Sequence, residues 1–410
     1  MGMKVICAYP VNLDAIHNLD QKKIEGRFLG QPRPGKLVRD MDDLYRTLIF
    51  HMREGSGSEM LIEDSDVARK IESAFSWQYR LGGNAGIMAS YLAGLGAVPV
   101  LNAPALSARL ATHLHPSVGI PIAGQLLTPL SAAGDREMVH FVLQFSQGQL
   151  ASWPGGEATA PHSNRVIATF DPLNSRLTTT KDFDDYCLRH SDEIAGAIVS
   201  GFHLARGEDS HEIFRQKSAQ VRSWKERNPG LFVHAEMGSF HKPGIMNHLL
   251  RVLPADSLGM NEDELTAATG AGSGFGDVKD ALLQLQSELG ISRVAVHTRD
   301  FMMSAVQDTI RPESEVEALC LGADAAAALA HSGDAHALPP EDINPTGEEA
   351  RMALCSQGAV GHGRGAYLKG RPSLCMAPSR LVRRPSFTVG LGDTATAACF
   401  YHELRSMGKA

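Results

Sequence analysis

Thr388-Val389-Gly390-Leu391-Gly392-Asp393-Thr394 runs straight into the small-residue segment Ala395-Thr396-Ala397-Ala398-Cys399-Phe400. Gly390 and Gly392 keep Cβ atoms out of the way of an approaching anion, and the residues after them read as the first turn of a helix. Asp393 stands where loop becomes helix. The first N–H groups of a helix have no internal partner and carry about half a positive charge, so a phosphate can dock there without any lysine. An aspartate beside a transferring phosphoryl group can accept the proton of an attacking hydroxyl, a role typically contributing about 10²- to 10⁴-fold. Together these features imply phosphoryl transfer to an alcohol. The same short pattern also serves as a plain helix cap at Asp393, so the rest of the chain has to decide.

Working outward, short apolar runs alternate with helical patterns. Residues 5–9 and 97–101 read as strands, with a helix of small residues over 87–94; further strands are expected at 193–200, 231–235, 294–297 and 387–389, spaced to leave room for helices. Residues 140–145 and 165–170 read as an antiparallel pair bracketing a polar loop rich in Gly, Pro and Ser. The expectation is an α/β fold: a mostly parallel sheet with crossover helices, interrupted by an inserted β-rich piece. Ligands in such sheets bind at the carboxyl ends of strands. Asn12 with Asp14, His234 with Glu236, and Gly392-Asp393 all fall there.

Composition sets the frame. With 410 residues, 43% hydrophobic and 21% charged, the chain can build one large domain and a smaller one. A net charge of −7 gives no pull toward nucleic acid or an anionic membrane, and neither is expected as a partner. The six cysteines are dispersed without a CxxC pair, which points to buried thiols in a reducing compartment. No run of 18 apolar residues occurs and residues 1–6 read as a strand rather than a signal peptide, so a cytoplasmic location is expected.

A second constellation is Val233-His234-Ala235-Glu236, followed by Gly259-Met260-Asn261-Glu262-Asp263-Glu264-Leu265. In an extended strand His234 and Glu236 point to one face, and at a helix start Asn261 and Glu264 share a face. A hard divalent cation wants such oxygen ligands, and Mg²⁺ keeps several waters while touching few carboxylates and the substrate phosphates. The competing reading of Asn261 and Glu264 is a capping box, and both can hold at once. A third block, Arg80-Leu81-Gly82-Gly83-Asn84-Ala85-Gly86-Ile87, brings backbone amides and the Asn84 side chain toward a polyol, or else simply makes a tight turn before a helix.

These blocks carry a family resemblance. The chain resembles the ADP-dependent glucokinase and phosphofructokinase family, a ribokinase-like group. Five ordered blocks match: Asn12-Leu13-Asp14-Ala15-Ile16, residues 80–87, Asn164-Arg165-Val166-Ile167-Ala168, His234-Ala235-Glu236 with residues 261–264, and residues 388–394. They span nearly the whole chain in family order. The resemblance implies a ribokinase-like α/β/α sandwich with a smaller β-rich lid domain. Residues 1–20, 60–120 and 190–410 are expected to form the large nucleotide-binding domain, and 21–59 and 121–189 the lid. It further implies that Asp393 is the catalytic base, with Gly390, Leu391 and Gly392 offering amides to the moving phosphoryl group. Glu236 and Glu264 would lie near Mg²⁺, through water. Asn12, Asp14, Gly82, Gly83 and Asn84 would face the sugar, and His297, Thr388 and Val389 the nucleotide.

Departures touch the sugar rather than the chemistry. Asn84 stands where the family usually has Gln, one methylene longer; Ser200-Gly201-Phe202-His203 replaces a segment that more often ends in Gln; and the chain is shorter than typical members. Glu59 matches the glutamate that glucokinase members use to hold a glucose hydroxyl. Arg165 offers a cation for fructose 6-phosphate, yet no lysine lies between Phe141 and Arg165, and residues 147–159 are neutral apart from Glu157. Glucose and fructose 6-phosphate stand level at this point, with ADP as donor, AMP as product and a modified glycolysis as setting.

No GxxxxGK[ST] loop and no HExxH occurs, which argues against P-loop kinases and zinc hydrolases of that type. The glycine-rich run 270–276 lacks the spacing of a dinucleotide fingerprint and reads as an interhelical loop. Arg364, Lys369, Arg371, Arg380, Arg383 and Arg384 either border nucleotide phosphates or form a solvated loop. His113 and His115 have metal-compatible spacing but no third ligand, so a surface placement is expected. Two alternatives stay open: an ATP-dependent ribokinase-type sugar or nucleoside kinase, and a non-catalytic sugar-binding protein. A monomer or small homo-oligomer is expected.

Overall fold

The computed structural model describes residues 2–19, 23–25, 28, 30–205, 209–240 and 243–409. Its larger sheet runs, edge to edge, Val360–His362, Gly365–Leu368, Ser373–Pro378, Phe301–Val306, Arg293–His297, Ser257–Asn261, Phe232–Glu236, Ile194–Val199, Lys4–Ala8 and Val98–Leu101. From Val98–Leu101 to Arg293–His297 neighbours are parallel; from there to the other edge they are antiparallel. Strand Lys4–Ala8 shows why both faces are covered. Val5 and Cys7 join one core with helix Leu391–Ser406, whereas Ile6 and Ala8 join another with helix Ser210–Arg227. Successive side chains leave a strand on opposite faces, so a strand apolar at every position needs helices on both. The result is an α/β/α sandwich.

The antiparallel end differs from the expected run of parallel strands. After His297 the chain turns within three residues, pinned by Thr298 donating its hydroxyl to the Phe301 carbonyl at 2.8 Å, and returns at once as Phe301–Val306. Nor do residues 387–389 form a strand. Ser373–Pro378 already occupies the place beside Phe301–Val306, and the Ser386 and Phe387 amides instead donate to the Ala330 carbonyl at the end of helix Pro312–Ser332. The glycine turn therefore opens its helix from a loop. The expected glycine-rich loop lies between helices Glu262–Thr269 and Phe275–Leu289.

A six-stranded sheet stands apart, ordered Leu37–Val38, Ser58–Ile62, Asn164–Phe170, Val139–Phe145, Asn12–Asn18 and Gln78–Gly82. Val139–Phe145 and Asn164–Phe170 pair antiparallel, as their pattern anticipated. Asn12–Asn18 and Gln78–Gly82 also belong to this sheet, whereas the expected division left residues 1–20 and 60–120 with the larger unit. The chain makes the crossing within Tyr9-Pro10-Val11 and crosses back at Gly82-Gly83. Alternation explains this sheet's one-sidedness. Leu13, Ala15, Phe141, Leu143, Val166, Ala168 and Met60 are buried in a core with Leu44, Leu48 and Met52 of helix Met41–Glu54. The opposite face carries Asn12, Asp14, His140, Thr169, Arg165 and Glu59.

Candidate active site

Helix Leu391–Ser406 begins at Gly390, whose φ of 76° puts it in the left-handed region and leaves the helix start without a side-chain cap. The first intrahelical bond runs from the Thr394 amide to the Gly390 carbonyl at 3.0 Å, so the amides of Leu391, Gly392 and Asp393 precede the ladder. Gly392 is required for a packing reason: a Cβ there would come within 2.6 Å of the His297 ring. Asp393, in the first turn, accepts a hydrogen bond from the Asn84 side-chain amide at 2.6 Å. Burial pushes its carboxyl up to about 6, with the Asn84 bond opposing and the Glu236 charge assisting. It remains mainly ionised at neutral pH.

Asn84 starts helix Asn84–Gly94 behind Gly83, whose φ is 80°. Gly82 lacks a side chain because Asp14 and Asn12 occupy the space: a Cβ would meet Asp14 Oδ1 at 2.3 Å and Asn12 Nδ2 at 2.5 Å. Asn12 donates its amide to Asp14 at 2.7 Å. Burial raises the Asp14 carboxyl, while His140, Asn12 and Arg165 pull the other way. Thus Asn12, Asp14, Gly82, Gly83, Asn84 and Asp393 converge from both sheets. Asn84 reaches Asp393 directly.

Beneath the helix start lies a buried polar chain. Glu236, 3% exposed, takes His234 Nε2 on one oxygen at 3.0 Å, together with the Thr396 hydroxyl at 3.0 Å, and His297 Nε2 on the other at 2.9 Å. Burial opposes its ionisation, but these bonds outweigh it and hold the carboxyl down at about 2. His234 has its basicity lowered by burial and receives Ser257 at Nδ1, 2.8 Å away, so as a neutral ring it donates from Nε2. His297 is the reverse: burial disfavours its charge, but the Glu236 bond and the nearby carboxylates raise it to about 9, leaving an imidazolium. Gly259 is needed here too, since a Cβ would sit 2.1 Å from Glu236.

Asn261 and Glu264 do form a capping box: the Glu264 amide donates to Asn261 Oδ1 at 2.9 Å, and the Asn261 amide donates to Glu264 Oε2 at 3.0 Å. Burial, with Glu236 and Asp393 nearby, raises the Glu264 carboxyl to about 7. An ionised Glu236 thus lies beside Glu264 and Asp393, whose own ionisation it opposes, a setting a divalent cation would relieve. No inner-sphere cluster of three or more His, Cys, Asp or Glu exists among the described residues. Both glutamates spend their oxygens on protein donors, which fits a cation held through water.

A family model described as the ADP-specific phosphofructokinase/glucokinase conserved region matches residues 3–402. The chain belongs to the ADP-specific phosphofructokinase/glucokinase family. It is 27% identical to the ADP-dependent glucose/glucosamine kinase of Pyrococcus furiosus, covering 97% of this chain and 94% of that one. It is 28% identical to the ADP-specific phosphofructokinase of Pyrococcus abyssi, covering 97% and 96%. Its fold matches the crystal structure of a hypothetical ADP-dependent phosphofructokinase from Pyrococcus horikoshii OT3, with a TM-score of 0.83, 22% identity and coverage of 100% and 99%. A solved ADP-dependent kinase complex with fructose 6-phosphate and ADPβS superimposes with a TM-score of 0.78 at 22% identity, covering 99% and 95%.

Within this family member, sequence reasoning missed four partners. His140 sits opposite Asp14 across the strands, 3.8 Å from its carboxylate, and donates to Asp171 at 2.9 Å. Asn174 donates to Asp171 at 2.8 Å and to the Val11 carbonyl at 3.1 Å, tying the dyad to the crossing segment. Thr396 holds Glu236. The one available signal was a histidine on the polar side of an alternating strand. Glu59 lies on the same face and accepts from Thr169 at 3.4 Å; Arg165 is exposed at the start of its strand. Thr388 is exposed, and Val389 lines a cavity of about 470 Å³ with Phe387, Gly390, Tyr91 and Asp14. His113 and His115 border that cavity as well, without a third ligand. The basic residues are largely neutralised: Arg364 and Arg380 pair with Asp324, Arg371 with Asp308 and Arg383 with Asp342.

Proposed function

We propose that this protein is an ADP-dependent hexose kinase that transfers the β-phosphoryl group of ADP to a sugar hydroxyl, giving AMP. Asp393 carries the reading: it is an ionisable carboxylate at the uncapped start of a 16-residue helix, bonded to Asn84 and joined by Asp14 from the second sheet. In this reading Asp393 accepts the hydroxyl proton as the oxygen attacks phosphorus. The amides of Leu391, Gly392 and Asp393 take the charge gathering on the moving phosphoryl oxygens, an arrangement preorganised by the helix. Glu236 and Glu264 would hold Mg²⁺ through water, and the cation would supply charge neutralisation on the diphosphate. His297, Thr388 and Val389 would face the nucleotide. Asn12, Asp14 and His140 would orient the sugar, and the six-stranded sheet would serve as the lid that excludes competing water.

For the acceptor, we favour a neutral hexose such as glucose. Asp14 and Glu59 both lie on the polar face of the second sheet, where they suit hydroxyl donors and oppose a 6-phosphate. Fructose 6-phosphate is the second reading, supported by exposed Arg165. A modified glycolysis in the cytoplasm is the proposed setting, supported by six free cysteines and by the absence of any helix among the described residues long and apolar enough to cross a membrane.

The test is Asp393→Asn together with an activity panel crossing ADP and ATP with glucose and fructose 6-phosphate. Loss of about 10²- to 10⁴-fold in kcat with intact folding is expected for the variant. Turnover with ADP should exceed that with ATP, and kcat/KM should be higher for glucose. Undiminished turnover in Asp393→Asn would remove it as base, and ATP preference would move the protein to the alternative kinase class.

A further inference from the structure

Far from the catalytic helix, on the other face of the large sheet, helices Lys181–Arg189 and Ser210–Arg227 flank an open groove of about 380 Å³ lined by Thr179, Asp184, Lys217, Gln220 and Trp224 among others. Lys217, Gln220 and Trp224 are three and seven residues apart, so they share one helix face. The lining is polar and incompletely satisfied. Trp224 is fully buried, yet its indole N–H has no partner, and neither has the Gln220 carbonyl oxygen. Lys217, only 8% exposed, makes one long hydrogen bond, 3.4 Å to the Thr179 hydroxyl, and lies 4.7 Å from the centre of the Tyr9 ring. Burial lowers its pKa to about 8, against the opposing charge of Asp184. Asp184 itself is occupied, accepting from Thr179 at 2.9 Å and from Gln220 at 2.6 Å.

Native proteins rarely leave buried donors and acceptors unmatched, because each costs about 1–3 kcal/mol. Here the ammonium with one long bond, the unpartnered indole N–H and the unpartnered Gln220 oxygen all belong to side chains lining one open groove. We propose that this groove binds a small carboxylate bearing an adjacent hydroxyl or ammonium group. Lys217 and Trp224 donate to the carboxylate oxygens, and the neighbouring group donates to Gln220. Asp184 sets the limit on charge: one carboxylate offsets the ammonium, whereas a phosphate dianion would face Asp184 unpaired.

Calorimetric titration of the full-length protein, free of sugar and nucleotide, tests this with glycolate, acetate and ethylene glycol as probes. Glycolate should bind saturably and several-fold more tightly than acetate, and ethylene glycol should not bind. Lys217→Met should abolish the glycolate signal, and Gln220→Leu should reduce glycolate to the level of acetate. Should Lys217→Met fail to fold, Gln220→Leu and Trp224→Phe decide, since both keep the apolar bulk of the site. The proposal is overturned by the absence of saturable glycolate binding, by equal binding of ethylene glycol, or by binding that survives all variants that fold.

Discussion

Asn84 donates an amide N–H to the carboxylate proposed to take up a proton, and this bond, 2.6 Å long, works against burial in setting where Asp393 titrates. A donor to the charged form favours it and lowers the pKa; burial works the other way and wins, leaving Asp393 at about 6. A base must be deprotonated to act, so kcat/KM should fall as pH drops through about 6. Removing the donor in Asn84→Ala deletes the lowering contribution. Hydrogen bonds to charged groups are worth about 1.5–3 kcal/mol, so the acid limb of the kcat/KM profile should move upward by roughly one pH unit. A pH–rate series on native and variant enzyme checks this, and a limb that stays in place would assign it to another group. The family's longer Gln would need a different pose to make the same bond, which gives the shorter side chain at position 84 a positive role.

At the scale of elements, the buried polar chain continues past the site. Ser257, which meets His234, also accepts from Arg293 at 3.3 Å; the Arg293 Nε donates to Glu315 at 2.8 Å and lies 2.9 Å from Glu403. Arg293 is a strand residue, whereas Glu315 and Glu403 come from helices Pro312–Ser332 and Leu391–Ser406, so one guanidinium fastens these two helices to the sheet. Replacing it with Met strands two buried carboxylates, at a cost of about 3–5 kcal/mol. Burial already raises Glu403 above its ordinary range, and loss of the Arg293 charge, which opposes that, raises it further. A folded pKa above the unfolded one penalises the folded state at high pH and not below the unfolded pKa. Glu403 already titrates at about 7 in the native protein, so denaturant melts should show the deficit of Arg293→Met growing as pH rises above about 7 and level below it. A deficit independent of pH would point to lost packing alone. Elements like these also show what was legible in the chain. The glycine turn, the His-x-Glu strand and the paired glycines are contiguous, and their chemistry follows from local geometry, so Asp393, Glu236 and Gly82-Gly83 could be placed by reading. His140 meets Asp14 and Asn174 meets Val11, each over a hundred residues away, with Asp171 between them, and a polar residue on an alternating strand looks the same whether it faces solvent or a cleft. Residues 387–389 have strand composition, but no sheet position was left for them.

For the molecule as a whole, the decisive feature is that the site is split between two sheets, with two short crossings beside it. Asp393, Glu236 and the free amides at the start of helix Leu391–Ser406 belong to the large sheet and its helices; Asn12, Asp14 and His140 belong to the second. Of the four crossings, the two short ones, Tyr9-Pro10-Val11 and Gly82-Gly83, touch. Gly83 has φ of 80°, and a Cβ on it would lie 2.6 Å from the Pro10 carbonyl oxygen and 2.7 Å from the Val11 Cα. Neither contact is with a flexible side chain, so Gly83→Ala must displace backbone where the two sheets meet, besides bearing the strain of a positive φ, about 1–3 kcal/mol. Hinge substitutions commonly change kcat and KM together. Gly83→Ala should therefore raise the hexose KM and lower kcat, on the order of 10²-fold in kcat/KM, because a shift of about 1 Å in Asp14 relative to Asp393 spoils the attack geometry. ADP affinity should be nearly unchanged, because the helix start proposed to receive phosphate lies wholly on the large-sheet side. Measuring hexose kinetics alongside direct ADP binding separates the cases. Equal losses in both would mean that the substitution damages the large sheet itself rather than the alignment of one sheet over the other.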